Sequence, residues 1–252
     1  MVTKADYPKD EVEACLTVMV ELMTLLGEFR DSIVLVGGWV PYFLFKEKKQ
    51  GHTGSLDIDI ALNFKKINFK TYKTILHILK ERGYEQAEQP YSFCRTIKAL
   101  DGAPAIVNVN LLGGEYGGTG KTHRTQKVQD VRVRKARGCD LVFENNFSIK
   151  LCRKMPDGAK NEAIIKVADI IPFLVMKGMA LWDRYKEKDA YDIYFSILHY
   201  PGGIQRLANV FHPFKSNKLV LEGLGKIKAK FLNIDAPGPV WLTNFEEIGD
   251  EE

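Results

Sequence analysis

Asp57 and Asp59 stand two residues apart in the run Asp57-Ile58-Asp59-Ile60-Ala61-Leu62. Side chains along a strand alternate faces. Both carboxylates therefore point one way, about 6–7 Å apart, while Ile58 and Ile60 point into a core. Two such carboxylates repel each other, and a divalent cation with oxygen ligands is a natural way to stabilise them. Upstream, the apolar run Ile33-Val34-Leu35-Val36 ends in Gly37-Gly38. Between a strand and a helix, a glycine pair lets backbone N–H groups approach a phosphate closely. A phosphate cradle beside metal-binding carboxylates points to nucleotide chemistry.

A second constellation lies far along the chain. Lys177 and Arg184 are seven residues apart in an apolar segment, two helical turns, so they share a face. Cations there need partners. Triphosphate oxygens would serve, with lysine as a point charge and arginine bidentate. The alternative is a pair of side chains snorkelling at the surface. Lys188-Asp189-Ala190-Tyr191-Asp192 opens the following helix. Asp189 reads as its N-cap, and Asp192, at N3, favours the helix dipole.

The elements that must position these groups follow from periodicity. Helices are expected over 11–26, 40–46, 69–82, 170–183 and 189–199, with weaker ones over 204–210 and 218–231. Strands are expected over 33–36, 57–62, 91–99, 105–112, 140–144, 148–152 and 163–167. Asp101-Gly102 is a hairpin signal between two of them. The strands fall before residue 168 and most helices after it. That split implies an α/β domain over 1–168 and a helical domain over 169–252 with an acidic tail. The tail, 235–252, holds Pro237, Gly238 and Pro239, is assigned no element, and its very end is read as disordered.

Two stretches between the constellations invite a phosphate reading. Gly113–Gly120 is glycine-dense, and Gly117-Gly118-Thr119-Gly120-Lys121-Thr122 resembles part of a P-loop. It lacks the first glycine at the required spacing, so a plain loop is the better reading. Lys121, His123, Arg124, Lys127, Arg132, Arg134, Lys135 and Arg137 form a basic segment. It would contact phosphates or make a solvated face.

Composition bounds the rest. The 252 residues are 45% hydrophobic and 27% charged, which suits a globular protein with a sizeable core. A net charge of +4 permits a nucleotide or RNA partner without demanding one. Cys15, Cys94, Cys139 and Cys152 show neither a C-x-x-C pair nor zinc spacing. The N-terminus does not read as a signal peptide, and no apolar run is long enough for a membrane span. A cytoplasmic protein with reduced thiols is the expectation. The histidines give no metal or triad spacing. His52 lies close to the aspartate pair, where it would touch substrate or be a loop residue without a role.

Gly37-Gly38 followed by Asp57-Ile58-Asp59 resembles the nucleotidyltransferase signature. The look of Gly-Gly plus His52-Thr53-Gly54-Ser55-Leu56-Asp57-Ile58-Asp59 is similar to the toxin-like nucleotidyltransferases of the AbiEii group. Lys177, Ala180 and Arg184, followed by Lys188-Asp189 and Asp192, are similar to that group's C-terminal motif. The resemblance covers Ile33 to Ile197. It implies an α/β (α+β) fold, a polymerase-beta-like mixed sheet with flanking helices followed by a helical part.

It also implies an enzyme transferring a nucleoside monophosphate from a nucleoside triphosphate to an acceptor hydroxyl on RNA or a tRNA end, a protein or a small molecule. By the resemblance Asp57 and Asp59 hold Mg²⁺ or Mn²⁺, and Gly37, Gly38 and Ser55 belong to the substrate site. Lys177 contacts phosphate, Arg184 does so less firmly, and Asp192 is the late acidic residue. A toxin role would bring an antitoxin partner. Two departures matter. The strand expected to bring a third carboxylate carries Asn108 and Asn110, of which Asn110 could ligate a cation through its carbonyl but supplies no charge. Thr53 stands where relatives carry arginine. A catalytically lapsed nucleotide- or RNA-binding module is the rival reading.

Overall fold

The computed structural model describes residues 1–47, 51–63, 66–67, 69–99, 102–115, 125–128 and 131–247. Among them the chain forms one mixed sheet of nine strands and eight α-helices. The strands are β1 (Ile33–Val36), β2 (Asp57–Leu62), β3 (Glu85–Gln86), β4 (Ser92–Lys98), β5 (Pro104–Gly113), β6 (Thr125–Val128), β7 (Val131–Lys135), β8 (Asn146–Lys154) and β9 (Lys160–Ala168). The sheet order is β3-β4-β5-β2-β1-β9-β8, with β7 alongside the end of β5 and β6 paired to β7. β2 runs antiparallel to β1 and parallel to β5, so Asp57 lies opposite Asn108 and Asp59 opposite Asn110.

Alternation explains β2 and β5. Ile58 and Ile60 are fully buried while Asp57 and Asp59 are half-buried. Val107, Val109 and Leu111 are buried, whereas Ile106 and Asn108 face solvent. Helix α1 (Lys9–Leu25) crosses the sheet, packing on β2, β4, β5, β8 and β9. Its buried Leu16, Met19 and Leu22 contribute to the core. Glu21 fixes it to the sheet by accepting from Tyr84 Oη at 2.9 Å and from Arg95 at 3.1 and 3.0 Å. Helix α2 (Trp39–Leu44) starts just after β1, and the indole of Trp39 donates to the Asp57 carbonyl at 2.8 Å. That bond holds the Gly37-Gly38 turn against the start of β2. Helix α3 (Phe69–Glu81) precedes β3.

After β9 come α4 (Ile170–Asp183), α5 (Glu187–Leu198), α6 (Gly203–Phe211), α7 (Lys218–Lys230) and α8 (Pro237–Glu246). Asp169 caps α4, accepting from the Ile170 N–H at 2.7 Å. Of the two glycines inside α7, Gly223 packs closely and Gly225 faces open space. A methyl group on Gly223 would lie 2.8 Å from the Val175 Cα, and one on Gly178 would strike the Gly223 carbonyl. Gly178 and Gly223 thus set the close approach of α4 and α7. None of the described helices is long and apolar enough to cross a membrane.

Two expectations require adjustment, and the basic stretch, left without an assigned element, gains one. Residues 139–143 form a 3-10 turn, not a strand. Gly138 enters it in the left-handed region at φ 86°, and the amides of Asn145 and Asn146 donate to the Leu141 and Val142 carbonyls. The basic stretch contains the β6–β7 hairpin. The tail contains α8, whose Pro237 has a backbone angle suited to the first helical position. Phe245 then buries its ring 4.6 Å from that of Tyr191 and 5.7 Å from that of Tyr7. The P-loop-like residues and the last five residues lie outside the described residues, as do the side chains of Lys127 and Arg132.

Candidate active site

Gly37, Gly38, Ser55, Asp57, Asp59, Asn110, Lys177, Arg184 and Asp192 all line one cleft. The sheet supplies its floor. Ser55 is buried beside the start of β2, and its hydroxyl donates to Asp57 Oδ1 at 2.5 Å. Asn110 Nδ2 donates to Asp59 Oδ1 at 3.0 Å. Asn108 does not line the main cleft; it borders a smaller neighbouring hollow with Asp57. Burial, with Asp57 beside it, pushes the Asp59 carboxyl up to about 6, against the pull of Asn110, Lys177 and Arg184. Among the described residues, no ion pair includes Asp57 or Asp59.

Gly37 lies between β1 and α2 with φ 74°, and a methyl group there would run into Asp59 Oδ2. A methyl on Gly38 would come within 2.9 Å of Ser55 Oγ. The glycine pair is therefore seated directly on the carboxylate floor, and a side chain at either position would displace Asp59 or Ser55.

The helical wall is an ion network. Lys177 Nζ lies 2.6 Å from Asp189 Oδ1 and 2.6 Å from Asp192 Oδ2. Arg184 donates to Asp189 through Nε at 2.7 Å and Nη2 at 3.1 Å. Lys188 Nζ meets Asp192 Oδ1 at 2.5 Å. Helix α5 starts at Glu187, so Asp189 falls inside its first turn and its side chain serves the cations, not the cap. The partners of Lys177 and Arg184 thus come from within the chain. Three cations against two carboxylates leave the network one net positive charge facing the carboxylate floor.

The sequence reading named His52 and Lys188 but not their partners in this wall. His52 is buried, with its Nδ1 accepting the Gly54 N–H at 3.1 Å. Its proton therefore sits on Nε2, which donates to Asp192 Oδ1 at 2.7 Å. Burial and the nearby Lys188 hold its pKa down at about 4, against the pull of Asp192. Burial lowers Lys188 to about 8, although Asp192 opposes this. The rings of Tyr7, Tyr191 and Phe245 surround its ammonium with centroids at 5.2, 5.3 and 5.9 Å. Burial would raise the Asp192 carboxyl, but Lys177 and Lys188 outweigh it and hold the group well below the usual carboxylate range. Burial would also raise Asp189, where Lys177 and Arg184 prevail and lower it. Arg134, Lys135 and Arg137 of the basic stretch reach the same cleft. Arg137 is engaged by Glu115 and Glu222.

The donor set fits a divalent cation. Two carboxylates outside any described ion pair share one side of a strand, and a small hard cation is held by one or two carboxylates plus substrate phosphates. Asn110 can add only a neutral oxygen.

No protein-family model and no curated protein matches the sequence. Among solved structures, the chain is similar to the crystal structure of an antigenic nucleotidyltransferase-like protein from Paracoccidioides brasiliensis. That similarity has a TM-score of 0.50 at 13% identity and covers 92% of this chain and 93% of that chain. At this identity it speaks for the fold: the chain has a nucleotidyltransferase-like fold, a mixed sheet flanked by helices.

Proposed function

We propose that the protein is a metal-dependent nucleotidyltransferase of the AbiEii-like kind, moving a nucleoside monophosphate from a nucleoside triphosphate to an acceptor hydroxyl. The observation that carries this reading is the Asp57–Asp59 floor, outside any ion pair among the described residues, lying against the side-chain-free Gly37-Gly38 turn in a cleft walled by cations. Asp57 and Asp59 would hold Mg²⁺ or Mn²⁺, with Ser55 orienting Asp57 and Asn110 orienting Asp59. Bound there, the cation supplies Lewis-acid activation of the phosphoryl group and of the attacking oxygen. The acceptor oxygen would bond to the α-phosphorus, pyrophosphate would leave, and the hydroxyl proton would pass to solvent.

Arg184 is the better candidate for direct phosphate contact. Its side chain is 43% exposed, and Asp189 takes only part of its donor fork. Lys177 is buried between two carboxylates. It acts on phosphate through the field of the network and through the placing of Asp192. The four free cysteines support a reducing, cytoplasmic location. A toxin role with a neutralising antitoxin follows from the AbiEii resemblance. Growth arrest on expression, absent with Asp57→Ala, is its test.

The transfer reading is tested by incubating the protein with each labelled nucleoside triphosphate, Mg²⁺, and total tRNA or protein extract. Label transferred by the wild type and lost in Asp57→Ala supports it. No transfer to any acceptor sinks it. Asn110 in the place of a third carboxylate favours the second reading, a lapsed nucleotide- or RNA-binding module. Calorimetry that finds nucleotide binding without turnover selects that one.

A further inference from the structure

Interleaved in sequence with the cleft-lining Asp183, Arg184 and Lys186, Trp182 and Tyr185 converge with a third aromatic side chain of the helical half. Trp182 lies in the last turn of α4, Tyr185 just beyond it, and Trp241 on α8. They surround Lys230, at the end of α7, whose ammonium sits 5.2, 5.3 and 5.3 Å from the three ring centroids. Tyr185 and Trp241 meet edge to face at 5.4 Å. Despite these contacts the cluster is open: Trp182 is 50% and Tyr185 80% exposed. Large aromatic faces left in water are costly, so their exposure points to a ligand.

The placement says which ligand. Asp183, Arg184 and Lys186 line the cleft, and Trp182 and Tyr185 alternate with them along the same short stretch. The space between the rings already holds an ammonium, so the cluster is not a receptor for a methylated amine. What remains available is aromatic surface beside the positive group of Lys230, with Arg184 and Lys186 next along the chain. Nucleobases stacked on rings, with phosphates against cations, match both features.

We infer that Trp182, Tyr185, Trp241 and Lys230 form a stacking platform for the unpaired bases of a single-stranded nucleic-acid acceptor whose end reaches the Asp57–Asp59 floor. The inference rests on the nucleotidyltransferase reading of that floor. The platform adds base-tolerant affinity ahead of the reacting hydroxyl and contributes nothing to holding the nucleoside triphosphate.

The test separates the two. Fluorescently labelled hexamers of uridylate and of deoxythymidylate are titrated without nucleoside triphosphate, and nucleotide binding is measured independently by calorimetry. Trp182→Ala and Tyr185→Ala are expected to weaken oligonucleotide binding by roughly fivefold or more each. Trp182→Phe should retain most of the affinity, and nucleotide binding should be unchanged in all three. The preferred hexamer names the strand as RNA or DNA. Oligonucleotide affinity identical in the wild type and both alanine variants overturns the platform, even if nucleotide binding and transfer persist. So does loss of self-association in the alanine variants with no change in oligonucleotide affinity, which would mark a protein contact. Loss of nucleotide binding in Asp57→Ala is read separately and concerns only the floor.

Discussion

Asn110 stands directly across from Asp59 in the parallel β2–β5 pair and donates its amide to Asp59 Oδ1 at 3.0 Å. A neutral donor thus occupies the place where a third carboxylate would complete a stronger cation site. It satisfies one oxygen of a buried acid whose neighbour, Asp57, is of like charge. The donor offsets part of the repulsion within the floor and brings no negative charge to it.

Asn110→Asp should reverse that balance. Without divalent cation, the variant loses the donor to Asp59 and gains a third repelling carboxylate. A loss of about 1–3 kcal/mol is expected from the unmet acceptor alone. With Mg²⁺ the extra ligand should make the cation's stabilising effect larger than in the wild type. Thermal unfolding of both proteins with and without millimolar Mg²⁺ checks this. If Mg²⁺ stabilises neither protein, the floor is not a cation site.

Asp192 carries the opposite arrangement: three partners on one carboxylate. Asp192→Ala would leave Lys188 buried without its anion and Lys177 with only Asp189. Removing one member of a buried ion pair costs about 3–5 kcal/mol. Urea unfolding should therefore show a large drop in midpoint for Asp192→Ala. Arg184→Ala, at the exposed end of the network, should change it little and instead weaken nucleoside triphosphate binding. Equal midpoints for wild type and Asp192→Ala would show that the network does not hold α4, α5 and the 51–55 loop together.

His52 makes the same junction sensitive to pH. The groups facing it are Asp192, Lys188, the Gly54 amide and the rings of Tyr191 and Phe195, with Lys177 beyond Asp192. Its folded pKa of about 4 lies below the ordinary 6.5, so the unfolded chain binds more protons between those values. Stability therefore rises with pH across that window and is lost as pH falls from about 6.5 towards 4. The contribution is on the order of 3 kcal/mol at full neutrality. His52→Gln should flatten the pH dependence of unfolding free energy in that range. A profile as steep as that of the wild type would assign the acid sensitivity to other groups.

The sequence showed one half of this site more clearly than the other, for a physical reason. The 57–62 strand alternates with period two, so the shared direction of Asp57 and Asp59 is local information. Gly37-Gly38 likewise sits at a boundary where apolar periodicity changes. Asp189, His52 and Lys188 could not be read that way. Asp189 resembles a helix cap because its neighbours in sequence favour one. Its partners, Lys177 and Arg184, are brought to it by the turn between α4 and α5. His52 reads as a loop residue because its partner lies 140 residues away. Helix α8 was hidden by Pro237, Gly238 and Pro239, which break helices in the interior but suit a first turn.

Gly37 offers the sharpest link between backbone geometry and chemistry. Its φ of 74° is in the left-handed region, where an L residue costs about 1–2 kcal/mol. A Cβ there would also collide with Asp59 Oδ2. Gly37→Ala must therefore either move the turn away from β2 or push the Asp59 carboxylate off its Asn110 donor. Either displacement separates the glycine backbone from the carboxylate floor. The expected result is a fold retained at a cost of about 2 kcal/mol, with binding of nucleoside triphosphate and Mg²⁺ reduced beyond detection by calorimetry. Gly38→Ala meets Ser55 Oγ at 2.9 Å without a left-handed backbone, so it should destabilise less and reduce binding through Ser55 and Asp57. Full nucleotide affinity in Gly37→Ala at lowered stability would remove the glycine turn from the binding site and leave it a purely structural corner.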